Sequence, residues 1–224
     1  TPLPNFIKVG QLPDDQEKLL HLLDSVDYAA NAGIVPSFAC MGEKDVFFQA
    51  HVIMGKAMER EGLTMVNLIS PGTGHVIDPV VHAEQMKRIG RVAAEGKDPR
   101  PKHLRLVTWS LKYRRAFWLE IRGLVEHYKR SEIEATLGDD GSIEVKEPVN
   151  IASFAIKSPG LSARTKSVRI GGKLLDLGKH SGEAVVFRKD ASGWTVDRTG
   201  AISVAPSKSP GLQGPIDDAF TTPF

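Results

Sequence analysis

Two short segments of this 224-residue chain carry the residue types of acid–base chemistry. Gly42-Glu43-Lys44-Asp45 follows an apolar run and precedes a helical pattern; thirty residues after Asp45, Gly72-Thr73-Gly74-His75 occupies the same place after the next apolar run. A carboxylate against an imidazole N–H holds the ring in one tautomer and stabilises the imidazolium formed when the ring takes a proton. That is the acid–base half of acyl transfer to a hydroxyl. The flanking glycines let a tight loop aim each side chain over a sheet edge. Each residue also has a plain structural reading: Asp45 as a helix cap just before Phe48, and His75 as a loop histidine bonded to backbone.

The elements that must position the pair can be read from periodicity. Leu19, Leu20, Leu22, Leu23, Val26 and Tyr28 recur at helical spacing from Pro13 to Ala30, with Asp14 and Asp15 suiting a first turn and Asn31-Ala32-Gly33 a stop. Val35–Met41 is a short, nearly all-apolar run, expected as a strand buried on both faces. Phe48–Arg60 returns to helical spacing, with Val52, Ile53, Met54, Ala57 and Met58 expected inward and Gly62 closing the helix. Thr64–Ile69 is the next expected strand, and Pro79–Ala94 a helix with Pro at its start. Strands joined by a crossover helix are parallel, and functional groups in such sheets gather beyond the strands' carboxyl ends. Asp45 and His75 are therefore expected to meet there.

A proline-rich linker follows, about residues 98–102, and the pattern then changes to period two. Runs at Leu104–Thr108, Ala116–Ile121, Ile133–Leu137, Ile143–Val145, Ile151–Ile156, Ser167–Ile170, Leu174–Leu177, Ala184–Phe187 and Trp194–Val196 alternate with turn residues such as Gly138-Asp139-Asp140-Gly141 and Gly171-Gly172. The expectation is an α/β portion with a parallel sheet over about residues 1–97, followed by an all-β sandwich over 103–208.

Val35-Pro36 through Asp45, with Gln49 and the Gly72–His75 loop, resembles the end of an α/β-hydrolase domain of the prolyl oligopeptidase type, over about residues 17–95. The resemblance implies a serine peptidase with Asp45 as triad acid and His75 as triad base, acting on a peptide or ester. An esterase of polysaccharide side groups would use the same machinery. In that fold the nucleophile sits on Gly-x-Ser-x-Gly, which occurs nowhere in this sequence. The nearest imitation, Gly178-Lys179-His180-Ser181-Gly182, places the serine one position late and in the β-rich half. The nucleophile is therefore expected on an N-terminal segment preceding Thr1, and this piece alone is expected to be inactive. Arg105–His127 is similar to the region after the hydrolase domain in large bacterial peptidase-like proteins. Gly211–Phe220 looks like a boundary in the same proteins, so 209–224 is expected to lead into further chain.

Other readings are weaker. Apolar residues at 41% and charged residues at 25% exclude a disordered or collagen-like chain, and a net charge of +2 gives no electrostatic reason to expect nucleic acid. A single cysteine, Cys40, excludes an intrachain disulfide and a multi-cysteine metal site; it reads as a small core residue. The compartment stays open, an extracytoplasmic one being favoured; no signal peptide is visible at the start. No apolar run approaches the ~20 residues of a membrane span. No His-Glu-x-x-His is present, and Gly72-Thr73-Gly74 lacks the rest of a dinucleotide fingerprint, so neither metal nor cofactor is expected. Trp109 and Trp118 with Lys112–Arg115 are candidates for stacking on nucleobases, and the same aromatics, with Tyr128 and Trp194, for stacking on carbohydrate, against the simpler reading of aromatics filling a β core. A non-catalytic binding module, with Asp45 only capping a helix, is the rival to the hydrolase.

Overall fold

A computed structural model of the chain describes residues 12–198. The chain has mixed helix and sheet content, mostly β, in two units, Thr1–Asp98 and Pro99–Phe224. Residues 199–208, assigned above to the β-rich half, and the boundary segment 209–224 lie outside the described residues.

The first unit runs α1 (Asp14–Leu20), a 3₁₀ segment (Ser25–Ile34), β1 (Phe38–Gly42), α2 (Phe48–Arg60), β2 (Val66–Ser70) and α3 (Pro79–Glu95). The single helix expected over Pro13–Ala30 is broken in two. Asp24 accepts a hydrogen bond from Val26 N at 3.0 Å, and His21 Nδ1 meets Asp27 at 2.6 Å. These local side-chain bonds compete with the α-helical ladder and restart the chain as a 3₁₀ turn. β1 and β2 are parallel, pairing Phe38 with Val66 through Gly42 with Ser70. The expectation that β1 is buried on both faces fails: four of its five positions are half-buried. On α2, Ala57 and Met58 pack with Ala29, Met54 and Leu63, whereas Val52 and Ile53, expected inward, are exposed. Two strands have too little area to cover the whole apolar surface of the helices and the sheet.

Among the described residues the second unit holds ten strands: β3 (His103–Thr108), β4 (Arg115–Ala116), β5 (Leu119–Leu124), β6 (Ser131–Leu137), β7 (Ile143–Val145), β8 (Ile151–Lys157), β9 (Ser167–Ile170), β10 (Lys173–Asp176), β11 (Ala184–Asp190) and β12 (Gly193–Asp197). They form two five-stranded sheets, ordered β10-β9-β7-β6-β3 and β12-β11-β8-β5-β4. All pairs are antiparallel except β7–β9. The run expected as one strand over Ala116–Ile121 is a hairpin, because Phe117 takes a positive φ of 50° and turns the chain between Ala116 and Leu119.

Alternating burial explains the strands. On β6, Ser131, Ile133, Ala135 and Leu137 are buried while Glu132 and Glu134 are half-exposed. Phe154 and Phe187 stack at 5.0 Å, and Trp194 meets Phe154 edge-on at 5.1 Å. Trp118 is fully buried, its Nε1 donating to Pro101 O at 2.9 Å. Trp118 and Trp194 are therefore core residues, and the stacking platform considered for them does not exist. Buried Glu120 is surrounded by Arg114, Arg115 and Lys157 at 3.1–3.2 Å. Burial pushes its carboxyl up, but the hydrogen bonds and charges of Lys157 and Arg115 outweigh this and leave it below the usual range.

Candidate active site

The loops after β1 and β2 emerge side by side because their strands are parallel neighbours. Backbone bonds then staple them: Glu43 N donates to Ser70 O at 2.9 Å and Lys44 N to Thr73 O at 2.8 Å. The Glu43 carboxylate accepts from Gly72 N at 2.7 Å, and Thr73 Oγ1 donates to Ser70 O at 3.0 Å. Ser70 and Asp78 close the second loop from both ends. Ser70 Oγ donates to Asp78 Oδ2 at 2.6 Å and faces Asp78 N at 2.7 Å, while Asp78 Oδ1 caps α3 through Val80 N and Val81 N. Gly42 is required at the crossing point. A Cβ there would stand 1.9 Å from Gly74 O and 2.7 Å from Thr73 O.

Across this stapled pair of loops, Asp45 Oδ2 lies 2.8 Å from His75 Nδ1. The two carboxylate oxygens divide their tasks. Oδ1 accepts from Phe47 N at 2.8 Å in the turn that leads into α2, and Oδ2 faces the imidazole. Asp45 therefore does not cap α2, whose N-cap position is Phe47 without a side-chain bond; it closes the turn ahead of the helix with one oxygen and faces the histidine with the other. The hydrogen bond from Phe47 N holds the Asp45 carboxyl below its usual range; burial opposes this, and the bond to His75 reinforces it. An ionised Asp45 keeps the shared proton on Nδ1, which leaves Nε2 as the acceptor. The Asp45 side chain is 5% exposed and that of His75 78% exposed, so the carboxylate is shielded and the ring is open. Phe47 sets its ring edge-on to the imidazole at 5.6 Å between centroids.

A histidine beside a carboxylate is not diagnostic on its own. His21–Asp27 and His103–Glu134 are also such pairs, at 2.6 and 2.9 Å. The first lies within one helical connection and the second across adjacent antiparallel strands. Asp45–His75 is set apart by its place beyond the ends of two parallel strands.

Sequence reasoning overlooked Glu43, Phe47 and the Ser70–Asp78 clasp. Asp78-Pro79 is a helix-start signature that marks Asp78 as a cap, but the bond from Glu43 to Gly72 joins residues with no local signal. Ser181 is occupied in a turn, its Oγ accepting from Glu183 N at 3.2 Å, and neighbouring His180 is held by Thr165 O and Gly182 N. Burial, and then the charge of Asp78, push the Cys40 thiol up, away from a reactive thiolate. Among the described residues, no group of three or more His, Cys, Asp or Glu is placed to hold a metal ion, and no helix is long and apolar enough to cross a membrane. No protein-family model, no curated protein and no solved structure matches the chain.

Proposed function

We propose that this chain belongs to a serine hydrolase, a peptidase of the prolyl oligopeptidase type, and supplies two members of its triad. His75 takes the nucleophile's proton through Nε2 and returns it to the leaving group, and Asp45 orients the ring through Nδ1. The first unit is then the closing part of an α/β-hydrolase domain and the second an appended β-sandwich. The observation that carries the reading is the 2.8 Å contact from shielded Asp45 to Nδ1, with the opposite edge of the His75 ring open to solvent. The exposed apolar residues beside the two parallel strands described in this unit support it further, since parallel sheets are ordinarily covered on both faces. The serine is assigned to an N-terminal segment that adds strands beside β1 and β2, and the substrate is a peptide or an ester.

A fluorophosphonate probe on the full-length protein tests this. It should label a serine within Gly-x-Ser-x-Gly upstream of Thr1. His75→Ala should abolish labelling, and Asp45→Asn should slow it by up to about 10⁴-fold, as removal of an orienting carboxylate does in such triads. Labelling at the unaltered rate in both variants would refute the assignment.

A further inference from the structure

The second unit carries a groove that the hydrolase reading does not use. A cavity of about 440 Å³ lies on the solvent side of the β10-β9-β7-β6-β3 sheet, within the range of ligand sites. An adjoining one of about 360 Å³ shares Lys166, Ser167 and Leu174 with it. Strand register explains the floor: Glu144 on β7 pairs with Arg169 on β9, which pairs with Leu174 on β10, and all three are exposed, Glu144 and Arg169 between buried neighbours and Leu174 ahead of buried Leu175. One wall is the Asp140–Ser142 turn and the other the loop carrying Arg164 and Lys166.

Both walls are fixed in advance. In the turn, Gly138 N donates to Ser142 O, and Ser142 donates to Asp140 Oδ1 through both N and Oγ. In the loop, Thr165 N donates to Ser162 O, Leu177 N to Lys166 O, and the His180 ring to Thr165 O. Yet these charged side chains are not tied up in ion pairs with one another. Among the described residues Arg164, Lys166 and Glu144 make no ion pair, and Arg169 donates only to Gly172 O at 3.0 Å.

We propose that this groove binds an anionic oligosaccharide, with Arg164, Lys166 and Arg169 taking its carboxylate or sulfate groups and Glu144 and Asp176 accepting from its hydroxyls. The mixed signs decide the class. A nucleic acid presents continuous phosphates that Asp140, Glu144 and Asp176 would repel, whereas an acidic saccharide spaces its charges between hydroxyls. Exposed Leu174 offers an apolar surface to the C–H face of a sugar ring. The proposal stands independently of the roles given to Asp45 and His75.

Affinity electrophoresis of the chain at about 0.15 M salt, where long-range charge attraction is screened, tests it. The gels contain polygalacturonate, carrageenan or neutral dextran. Retardation by polygalacturonate identifies carboxylate recognition, retardation by carrageenan sulfate recognition, and either supports the proposal if dextran has no effect. Arg164→Ala and Arg169→Ala should each weaken retardation by about tenfold to a hundredfold at unchanged thermal stability. Lys87→Ala, an exposed cation of the first unit, should change nothing. Retardation by neither charged polymer, equal retardation by dextran, equal loss in Lys87→Ala, or tighter binding of single-stranded oligonucleotide would overturn it.

Discussion

Gly42→Ala is the most direct perturbation of the loop geometry. The added methyl group would meet Gly74 O at 1.9 Å, Thr73 O at 2.7 Å and Thr73 Oγ1 at 2.8 Å. Ordinary contact begins at 3.4 Å, so the loop carrying His75 must retreat by about 1.5 Å. That shift stretches the 2.8 Å bond from Lys44 N to Thr73 O to about 4.3 Å, beyond hydrogen-bonding range. It also draws His75 from Asp45 and Gly72 from Glu43. At about 1 kcal/mol for each of three bonds, the first unit should lose about 3 kcal/mol. On the proposed hydrolase reading, a displacement of this size costs about 10²-fold or more in rate. The assay is urea denaturation together with the imidazole N–H proton resonance of His75. A shielded carboxylate partner moves that resonance downfield and slows its exchange; the variant should lose it. A variant with wild-type stability and an unchanged His75 resonance would show that the two loops are not locked together as described.

Two further predictions concern the second unit. Trp118→Ala removes a fully buried ring packed over Gly160 and should destabilise the unit by about 3–5 kcal/mol in chemical denaturation; a loss under ~1 kcal/mol would contradict its place in the core. Burial raises the Glu132 carboxyl, but Arg105 at 2.7 Å and Arg130 at 2.9 Å outweigh it, so its folded value lies below the unfolded one of about 4.3. Its contribution is therefore complete at neutral pH and is lost as pH falls below about 4. Urea midpoints measured against pH should drop in that window, and Glu132→Gln should flatten the drop; parallel curves would refute the pairing.

The β-rich half was largely legible because its code is local. Ile143–Val145 and Ser167–Ile170 alternate buried and exposed residues between turn-forming neighbours, and both appear as strands with those bounds. Phe48–Arg60 was legible for the same reason, its helical spacing ending ahead of Gly62. The break after Leu20 was not, since Leu19, Leu20, Leu22 and Leu23 continue a helical pattern that Asp24 and Asp27 interrupt through side-chain bonds. Nor was the exposure of Val52 and Ile53, because an apolar residue is buried only if something covers it.

Chain order, residue type and period alone were enough to nominate Asp45 and His75 and to expect parallel strands beneath them. They left capping and histidine-orienting as rivals, because spacing cannot say which oxygen of a carboxylate faces which donor. Packing in three dimensions settled that: β1–β2 register brought the loops together, Gly42 let them touch, and Oδ1 and Oδ2 took one partner each. The same holds for the groove on the second unit. Glu144, Arg169 and Leu174 are unremarkable along the chain and become neighbours only when β7, β9 and β10 align, since contacts between distant residues follow from strand register rather than from local propensity.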